Sequence, residues 1–179
     1  MHSWSSQRVF QNAWVVADLD RAIETWAGRY GIGPFFAVEF AGGPALRYRG
    51  APGVLDMTVA WAQAGDVQIE LIAPHSAEPN VYRDLIAPGC TGFHHICFWC
   101  EDIEADKATL AADGFPLAMD SGADGGARFA YFDTSEENGH MIELLQADEG
   151  MAALFAGIAA AAASWDGQRP RRSLSELSP

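Results

Sequence analysis

The segment QNAWVVADLD, residues 11–20, aligns without a gap on HICFWCEDIE, residues 95–104. In each segment a largely apolar, strand-like run leads directly into an acidic residue, Asp18 or Asp102, of the type that caps the N-terminus of a helix. The same strand-to-helix junction therefore occurs twice, which indicates an internal repeat.

A second pair of segments supports the repeat. QIELI, residues 68–72, aligns on MIELL, residues 141–145, and each closes a βαβββ unit that begins with one of the segments above. The two units span about residues 8–74 and 92–147. Strands are predicted at Val9 to Val16, Phe35 to Phe40, Val54 to Gln63, Val67 to Ala73, Phe93 to Cys100, Leu117 to Asp120, Arg128 to Asp133 and His140 to Gln146, and helices at Asp18 to Tyr30, Val81 to Ile86, Asp102 to Ala112 and Met151 to Ser164.

Length and composition indicate one globular domain. The 179 residues are enough for a single hydrophobic core, and 49% of them are apolar. We expect the domain at residues 1–148, an alanine-rich helix at 149–165 and a flexible polar tail at 166–179. A formal net charge of −13 repels phosphate backbones, so nucleic acid is not an expected partner.

We expect a cytoplasmic protein that does not enter a membrane. The sequence has no apolar run of about 18 residues, so no membrane-spanning helix is predicted. The N-terminus lacks the charged and apolar regions of a signal peptide. The three cysteines, Cys90, Cys97 and Cys100, are odd in number and sparse, which suits a reducing compartment better than a disulfide framework.

Four polar side chains occupy repeat-equivalent positions. Gln11 and His95 share a place in the first strand of each repeat, and Glu70 and Glu143 share one in the last strand. Alternate residues of a strand share a face, so these four are expected on the face that the helices do not cover. A buried carboxylate is unfavourable unless it is paired or bound to a metal. This mixed oxygen and nitrogen set suits one divalent ion, such as Zn, Ni, Co, Mn, Fe or Mg.

The segments that carry these residues resemble those of the vicinal oxygen chelate superfamily, which includes glyoxalase I, methylmalonyl-CoA epimerase, extradiol dioxygenases and bleomycin-resistance proteins. The matching segments are VVADLD at 15–20, QIELI at 68–72, GFHHI at 92–96 and GHMIEL at 139–144. The resemblance implies an α+β fold, with two βαβββ repeats forming a curved, barrel-like mixed sheet and helices on its outer face. It also implies that the first and last strands of each repeat supply the metal ligands. A glutamine at position 11 resembles one form of glyoxalase I, whereas the epimerases and dioxygenases typically have histidine there.

The chemistry implied by the resemblance is proton transfer beside a metal-bound carbonyl. A divalent ion that binds two adjacent substrate oxygens would stabilise the enolate formed when a proton leaves the neighbouring carbon. Glu143 is the first candidate for the base that removes this proton, and Glu70 is the second. The expected function is that of a metal-dependent isomerase, epimerase or lyase with a small-molecule substrate.

The walls of the expected pocket are mainly apolar. Trp99, Met141, Cys97 and Trp61 are candidate substrate-binding residues, and such walls favour a substrate with apolar bulk. The two arginines of LRYRG, Arg47 and Arg49, either hold a carboxylate or phosphate of the substrate or lie in a solvated loop. Further candidate wall residues are Phe36, Met57 and Leu145.

Two other functions remain open at this point. One is a metal-free binding or resistance protein of the same fold. The other is an extradiol-type dioxygenase, which usually needs two histidines and a carboxylate on iron. Only His95 stands at a ligand position, because alternation places His94 on the opposite face, as a packing or supporting residue. We also expect a homodimer, since the helix from Met151 to Ser164 presents small side chains for packing.

Overall fold

The predicted βαβββ order is present twice in the computed structural model, which describes residues 8–41, 46–122 and 127–177. Residues 1–7 of the predicted domain and 178–179 of the predicted tail lie outside the described residues. The first repeat contains β1 (Arg8–Val15), α1 (Leu19–Tyr30), β2 (Phe35–Ala41), β3 (Arg47–Tyr48), β4 (Ala51–Pro52), β5 (Asp56–Ala64) and β6 (Val67–Pro74). The second contains β7 (Gly92–Trp99), α2 (Ile103–Ala112), β8 (Leu117–Asp120), β9 (Arg128–Asp133), a one-turn helix α3 (Ser135–Asn138) and β10 (Met141–Gln146). The chain continues into α4 (Glu149–Ala163), β11 (Arg171–Ser173) and a 3-10 turn, Leu174–Glu176.

The two long helices of the repeats begin at the predicted caps. The side chain of Asp18 accepts a hydrogen bond from the backbone N–H of Arg21, and Asp102 accepts one from Ala105 in the same way. Each carboxylate satisfies a backbone donor that the first turn of a helix leaves free. Helix α1 ends at Gly31, which takes the left-handed conformation (φ 67°) that glycine adopts without strain.

The described strands form one curved, unclosed mixed sheet in the order β11-β2-β5-β6-β1-β7-β10-β9-β8-β3-β4. In each repeat the first strand pairs in parallel with the last, β1 with β6 and β7 with β10. The two repeats meet where β1 pairs antiparallel with β7. The hairpin β3-β4 departs from this symmetry, because it comes from the first repeat and pairs with β8 of the second. The sheet therefore brings the four strands that carry the predicted ligands to its centre.

The sheet buries apolar clusters on both faces, two under the helices and another on the opposite face. Ile69 and Leu71 of β6 pack with residues of α1, and Ile142 and Leu144 of β10 pack with residues of α2. These four alternate along the sequence with the predicted ligands, so the helices cover the face that the alternation predicts. The opposite face, called here the inner face, carries its own cluster, which includes Ala13, Val15, Leu55, Met57, Val59, Ile72, Tyr82, Tyr131 and Met141.

A β-bulge occurs at the same place in both repeats. In β1, Phe10 is an extra residue between two positions that pair with adjacent residues of β7. In β7, His94 is an extra residue between two positions that pair with adjacent residues of β1. Each lies immediately before a predicted ligand, Gln11 or His95. A bulge re-aims a side chain relative to strict alternation, so both extra residues depart from the simple strand pattern.

Two segments differ from the sequence-based expectation. The helix predicted at Val81 to Ile86 is instead a run of hydrogen-bonded turns, in which the side chain of Asn80 accepts hydrogen bonds from the backbone N–H groups of Tyr82 and Arg83. The tail predicted to be flexible instead adds a strand, since Arg171–Ser173 pairs in parallel with the free edge of β2. Within the described ranges, no helix has the length and apolar character needed to cross a bilayer.

Candidate metal centre

In the central strands, each of two small residues, Ala13 and Cys97, lies between two of the four predicted ligands. Ala13 of β1 pairs with Glu70 on one side and with His95 on the other. Cys97 of β7 pairs with Gln11 on one side and with Glu143 on the other. Paired residues of neighbouring strands present their side chains on the same face. The sheet therefore directs all four predicted ligand side chains to one region of the inner face.

Three of the four come within reach of one ion. Ligand atoms of Glu70, His95 and Glu143 all lie within 4.8 Å of one another, and all three residues are buried. Nε2 of His95 lies 2.9 Å from Oε2 of Glu143 and 3.3 Å from Oε2 of Glu70. Two carboxylates and an imidazole at these separations form a donor set that suits zinc and similar divalent ions.

Two atoms of this cluster make no hydrogen bond of good geometry, although one of them, Nε2 of His95, lies at ion-pair distance from both carboxylates. They are Oε2 of Glu70 and Nε2 of His95, and both are buried. Buried polar atoms are almost always hydrogen-bonded, and unpaired ones are energetically unfavourable. Because both atoms face the same point beside Glu143, a divalent ion would satisfy them together. The residues present therefore fit a metal centre.

Gln11 lies beside this cluster. It is buried, its Nε2 donates a 2.6 Å hydrogen bond to Oε1 of Gln68, and it lines the same cavity as Glu70 and Glu143. Gln68 precedes Glu70 on the same face of β6. With its nitrogen engaged by Gln68, the side-chain oxygen of Gln11 is the atom suited to a cation. A ligand role for Gln11 stays a prediction.

Electrostatics couple the three ionisable groups. Burial raises the pKa of Glu70 and the nearby Glu143 raises it further, against the lowering effects of His95 and Trp61. Burial by itself would lower the pKa of His95, but Glu143 and Glu70 raise it to about 9. In the absence of a cation, the imidazole therefore holds a proton near pH 7 as counter-charge to the carboxylates. A metal ion would take over that role and displace the proton.

The residue opposite each glutamate differs between the repeats. Trp61 pairs with Glu70 across β5 and β6, and its indole N–H donates a 2.7 Å hydrogen bond to Oε1 of that carboxylate. Tyr131 pairs with Glu143 in the equivalent way across β9 and β10, but its ring packs against His95, 5.0 Å between centroids. Trp61 was predicted to contact substrate, which stays a prediction; in the structure its indole orients Glu70.

Strict alternation predicted His94 on the face opposite His95, and this prediction was wrong. The bulge turns its ring to the inner face, where it is fully buried between His95 and Tyr82, with ring centroids 5.2 and 5.1 Å away. Its Nε2 lies 3.0 Å from the carbonyl oxygen of Val81, and its Nδ1 lies 3.0 Å from Nδ1 of His95. Burial, reinforced by His95, lowers the pKa of His94 to about 3, so this ring is neutral.

A small cavity of about 100 Å³ opens at the cluster. Trp61 lines it, as predicted for a substrate-binding residue, and Met57 and Leu145 line it too. The other predicted wall residues, Met141, Cys97, Trp99 and Phe36, do not line it. Met141 and Cys97 are buried in the sheet around the cluster, Trp99 packs on Phe10 and Phe155, and Phe36 lines a separate groove together with residues of α4.

The two predicted substrate arginines do not line this cavity. Arg49 forms ion pairs with Asp84 at 2.8 Å and with Asp133 at 2.6 Å, so its charge is used within the protein. Arg47 is exposed on the hairpin, where it pairs in the sheet with Asp120. A role for either in substrate binding stays a prediction.

Several cavity residues come from distant parts of the chain and were not singled out from the sequence. Tyr82 belongs to the turns that join the repeats, and Tyr131 belongs to β9. Met151 and Phe155 belong to α4, which lies over the inner face and contacts β5. The alanine-rich composition of α4 suggested a packing helix, but it did not show that two of its four large apolar residues, Met151 and Phe155, line the cavity while Leu154 and Ile158 do not.

Comparison with known proteins identifies the class. The chain belongs to the glyoxalase/bleomycin resistance protein/dioxygenase superfamily, whose family model matches residues 10–132. The resemblance proposed from the sequence is thereby confirmed. Among curated proteins, the uncharacterized protein YqjC of Bacillus subtilis (strain 168) is 36% identical over 96 residues, which cover 50% of this chain. The aligned stretch spans 65% of the length of YqjC.

Solved structures with the same fold include methylmalonyl-CoA epimerases. The epimerase from Mycobacterium tuberculosis superposes with a TM-score of 0.59 at 19% sequence identity, covering 86% of this chain and 96% of the epimerase. A methylmalonyl-CoA epimerase in complex with methylmalonyl-CoA and NH4+ gives a TM-score of 0.54 at 19% identity, covering 81% of this chain and 97% of that one. At such low identity the likeness establishes the fold alone.

Proposed function

We propose that this protein is a divalent-metal-dependent isomerase, epimerase or lyase that moves a proton on a substrate with two adjacent oxygens. The observation that carries the proposal is the convergence of Glu70, His95 and Glu143 within 4.8 Å, with two buried atoms that make no hydrogen bond of good geometry. Gln11 would complete the ligand set from the equivalent position in the first repeat. A bound divalent ion would supply Lewis acidity, which makes the carbon beside a coordinated carbonyl more acidic.

The proton would be handled by a glutamate of the cluster. Glu143 is the preferred base, because Glu70 is held at Oε1 by the indole of Trp61 and is less free to turn toward a substrate carbon. Burial of the surrounding residues excludes water, which preserves a proton held by a carboxylate for return to the substrate. Glu70 is the second candidate, and its raised pKa suits a proton acceptor at neutral pH.

The charge of the site favours an uncharged reacting group. Two carboxylates balance a divalent ion, and among the described residues no lysine or arginine lines the cavity to offset a further negative charge. Uncharged 2-hydroxycarbonyl compounds are therefore the first substrates to assay. Methylmalonyl-CoA is the second, because proteins of this fold that act on it are among the structural neighbours.

Metal analysis tests the proposal most directly. Protein purified without chelator should contain close to one divalent ion per chain by elemental mass spectrometry. H95Q and E143Q should each reduce zinc affinity by at least about 100-fold, measured by calorimetry, because each removes a ligand. H75Q and E136Q change the same residue types outside the cluster and should bind zinc like the wild type. Candidate substrates incubated in D2O should then exchange a C–H proton, detected by NMR, only with the wild-type and control proteins.

The second candidate is a metal-free binding protein of the same fold. It would be favoured if the folded wild type held no metal, took up none at micromolar concentration, and still bound an apolar small molecule. Iron-dependent O2 uptake with catechols would instead favour the dioxygenase. The cytoplasmic location and the homodimer stay part of the proposal. Sedimentation of the purified chain tests the dimer.

A further inference from the structure

We propose that His94 is a positioning residue that holds the proton of His95 on Nδ1 and thereby presents Nε2 of His95 to the metal ion. The inference rests on the proposed function, because it concerns how one of the proposed ligands is prepared. It assigns a role to a histidine that strict strand alternation would place on the other face.

The first hydrogen bond determines which nitrogen of His94 carries a proton. Nε2 of His94 lies 3.0 Å from the carbonyl oxygen of Val81. A carbonyl oxygen can only accept, so Nε2 of His94 must be the donor. In a neutral imidazole the other nitrogen is then an acceptor, so Nδ1 of His94 has a lone pair to offer.

The second hydrogen bond determines which nitrogen of His95 carries a proton. The two Nδ1 atoms of His94 and His95 lie 3.0 Å apart, so one of them must donate to the other. If His94 donated, it would carry two protons, and a cation would lie fully buried between aromatic rings. His95 therefore donates from Nδ1. Its remaining nitrogen, Nε2, is the atom that faces Glu70 and Glu143.

Comparison of the two bulges explains why only one repeat needs this arrangement. Phe10 occupies the bulge before Gln11, as His94 occupies the bulge before His95. An amide ligand binds a cation through its oxygen and has no tautomer to select, so a phenylalanine is sufficient there. An imidazole ligand has two nitrogens, and its metal-binding one is defined by the partner of the other.

The carbonyl group of Val81, which accepts the hydrogen bond from His94, is itself held in place. Val81 is buried in the turns that connect the repeats. The side chain of Asn80 accepts hydrogen bonds from the backbone N–H groups of Tyr82 and Arg83 at 3.0 and 3.1 Å, which shapes this turn. Asp84, on the same turn, is bound by Arg49. The connection between the repeats therefore serves as the anchor of the His94–His95 pair.

Zinc binding by matched variants tests the role. H94F keeps a ring of similar size but removes both hydrogen bonds, and it should weaken zinc binding about 10- to 100-fold, as is typical when a partner of a ligating histidine is lost. H94Q offers both an acceptor oxygen and an N–H donor, so it should restore most of the affinity. H140F makes the same change at a half-buried histidine outside the chain of hydrogen bonds and should bind zinc like the wild type.

Nitrogen NMR provides a readout independent of activity. In zinc-loaded wild type, His95 should carry a slowly exchanging proton on Nδ1, and in H94F that proton should exchange faster. H95Q assigns the signal. In the metal-free protein, at a pH where the spectrum shows the ring of His95 to be neutral, its one proton should lie on Nδ1, where it can be donated to Nδ1 of His94.

Two results would overturn the inference: a zinc affinity of H94F equal to that of the wild type, or a proton on Nε2 of neutral His95. If the wild type bound no zinc at all, the proposed function would fail, and the metal-free spectrum would still decide the role of His94. The same spectrum decides it if H94F does not fold.

Discussion

Ala13 and Cys97 occupy equivalent positions in the two repeats, and each separates a pair of the predicted metal ligands. Ala13 lies between Glu70 and His95 in the sheet, and Cys97 lies between Gln11 and Glu143. Both are small and fully buried. Burial and the neighbouring Glu143 raise the pKa of Cys97 well above its ordinary value, so without a bound cation the thiol is protonated. These two positions provide the space in which four larger side chains can converge.

Ala13→Leu tests this arrangement. The larger side chain would enter the space between Glu70 and His95, and zinc affinity should fall at least about 100-fold in calorimetric titrations. Overpacking should also destabilise the fold by about 1–3 kcal/mol. Ala60→Leu is the matched control, because Ala60 is equally buried in the same sheet but faces the helices. A60L should lose similar stability with unchanged zinc affinity. Equal loss of zinc binding in both variants would contradict the prediction.

Trp61→Phe tests the hydrogen bond that orients Glu70. The variant keeps an aromatic ring and removes the indole N–H, so the carboxylate loses a donor at 2.7 Å. We expect a loss of about 2 kcal/mol in the free energy of unfolding, measured by urea denaturation. The pKa of Glu70 should rise further, because this hydrogen bond lowers it. Trp99→Phe, which alters a ring packed on Phe10, serves as the control. An effect of W99F as large as that of W61F would show that ring size, not the hydrogen bond, matters.

The stability of the metal-free protein should depend on pH through His95. Its pKa is about 9 in the folded chain, against an ordinary value of 6.5, because Glu70 and Glu143 outweigh the lowering effects of burial. The resulting stabilisation is fully present below pH 6.5 and is lost as pH rises through 9, by about 3 kcal/mol in total.

Urea denaturation between pH 6 and pH 10 measures this loss. H95Q lacks the stabilisation by the protonated imidazole at every pH, whereas the wild type loses it only at high pH. The difference in unfolding free energy between the wild type and H95Q should therefore shrink toward high pH. A difference that does not change with pH would show that His95 is not the group responsible. Bound zinc would replace the Nε2 proton of His95. At saturating zinc, once the pH is high enough for zinc to have displaced this proton, the unfolding free energy should therefore no longer change with pH through His95.

Phe155→Ala tests the cover that α4 places over the inner face. The ring of Phe155 packs against Phe10 and Trp61, with centroids 5.7 and 5.9 Å away, and it lines the cavity. A cavity of 100 Å³ has about the volume of three water molecules in the liquid, so a larger substrate needs the cover to shift. F155A should admit an apolar fluorescent probe and lose about 2 kcal/mol of stability, since the ring is half-buried.

Leu154→Ala provides the comparison for this variant. Leu154 is also half-buried on α4, but it faces the groove beside the C-terminal turn rather than the cavity. L154A should lose comparable stability without admitting the probe. Binding of the probe to both variants would indicate general loosening of α4 instead of an opened cavity.

The parts of the fold that follow local rules were predictable from the sequence. The strand-to-helix junctions at Asp18 and Asp102 were recognised because capping depends on residues a few positions apart. The face of the sheet that bears Glu70 and Glu143 was recognised because side chains alternate along any strand. The 3-10 turn and strand near the C-terminus were missed, since pairing with the edge of β2 depends on where β2 lies in space.

The repeated pattern by itself determined which face would bear the polar residues and which residues would be equivalent. Tertiary structure alone decided which hydrogen-bond partners, charges and degree of burial those residues have. The bulge that turns His94 inward arises from pairing between β1 and β7, and the carbonyl of Val81 reaches His94 only because the connecting segment folds back over the sheet. Periodicity describes the direction of a side chain along its own strand. The partners that define its proton, its charge and its exposure come from other strands, and their positions depend on the packing of the whole domain.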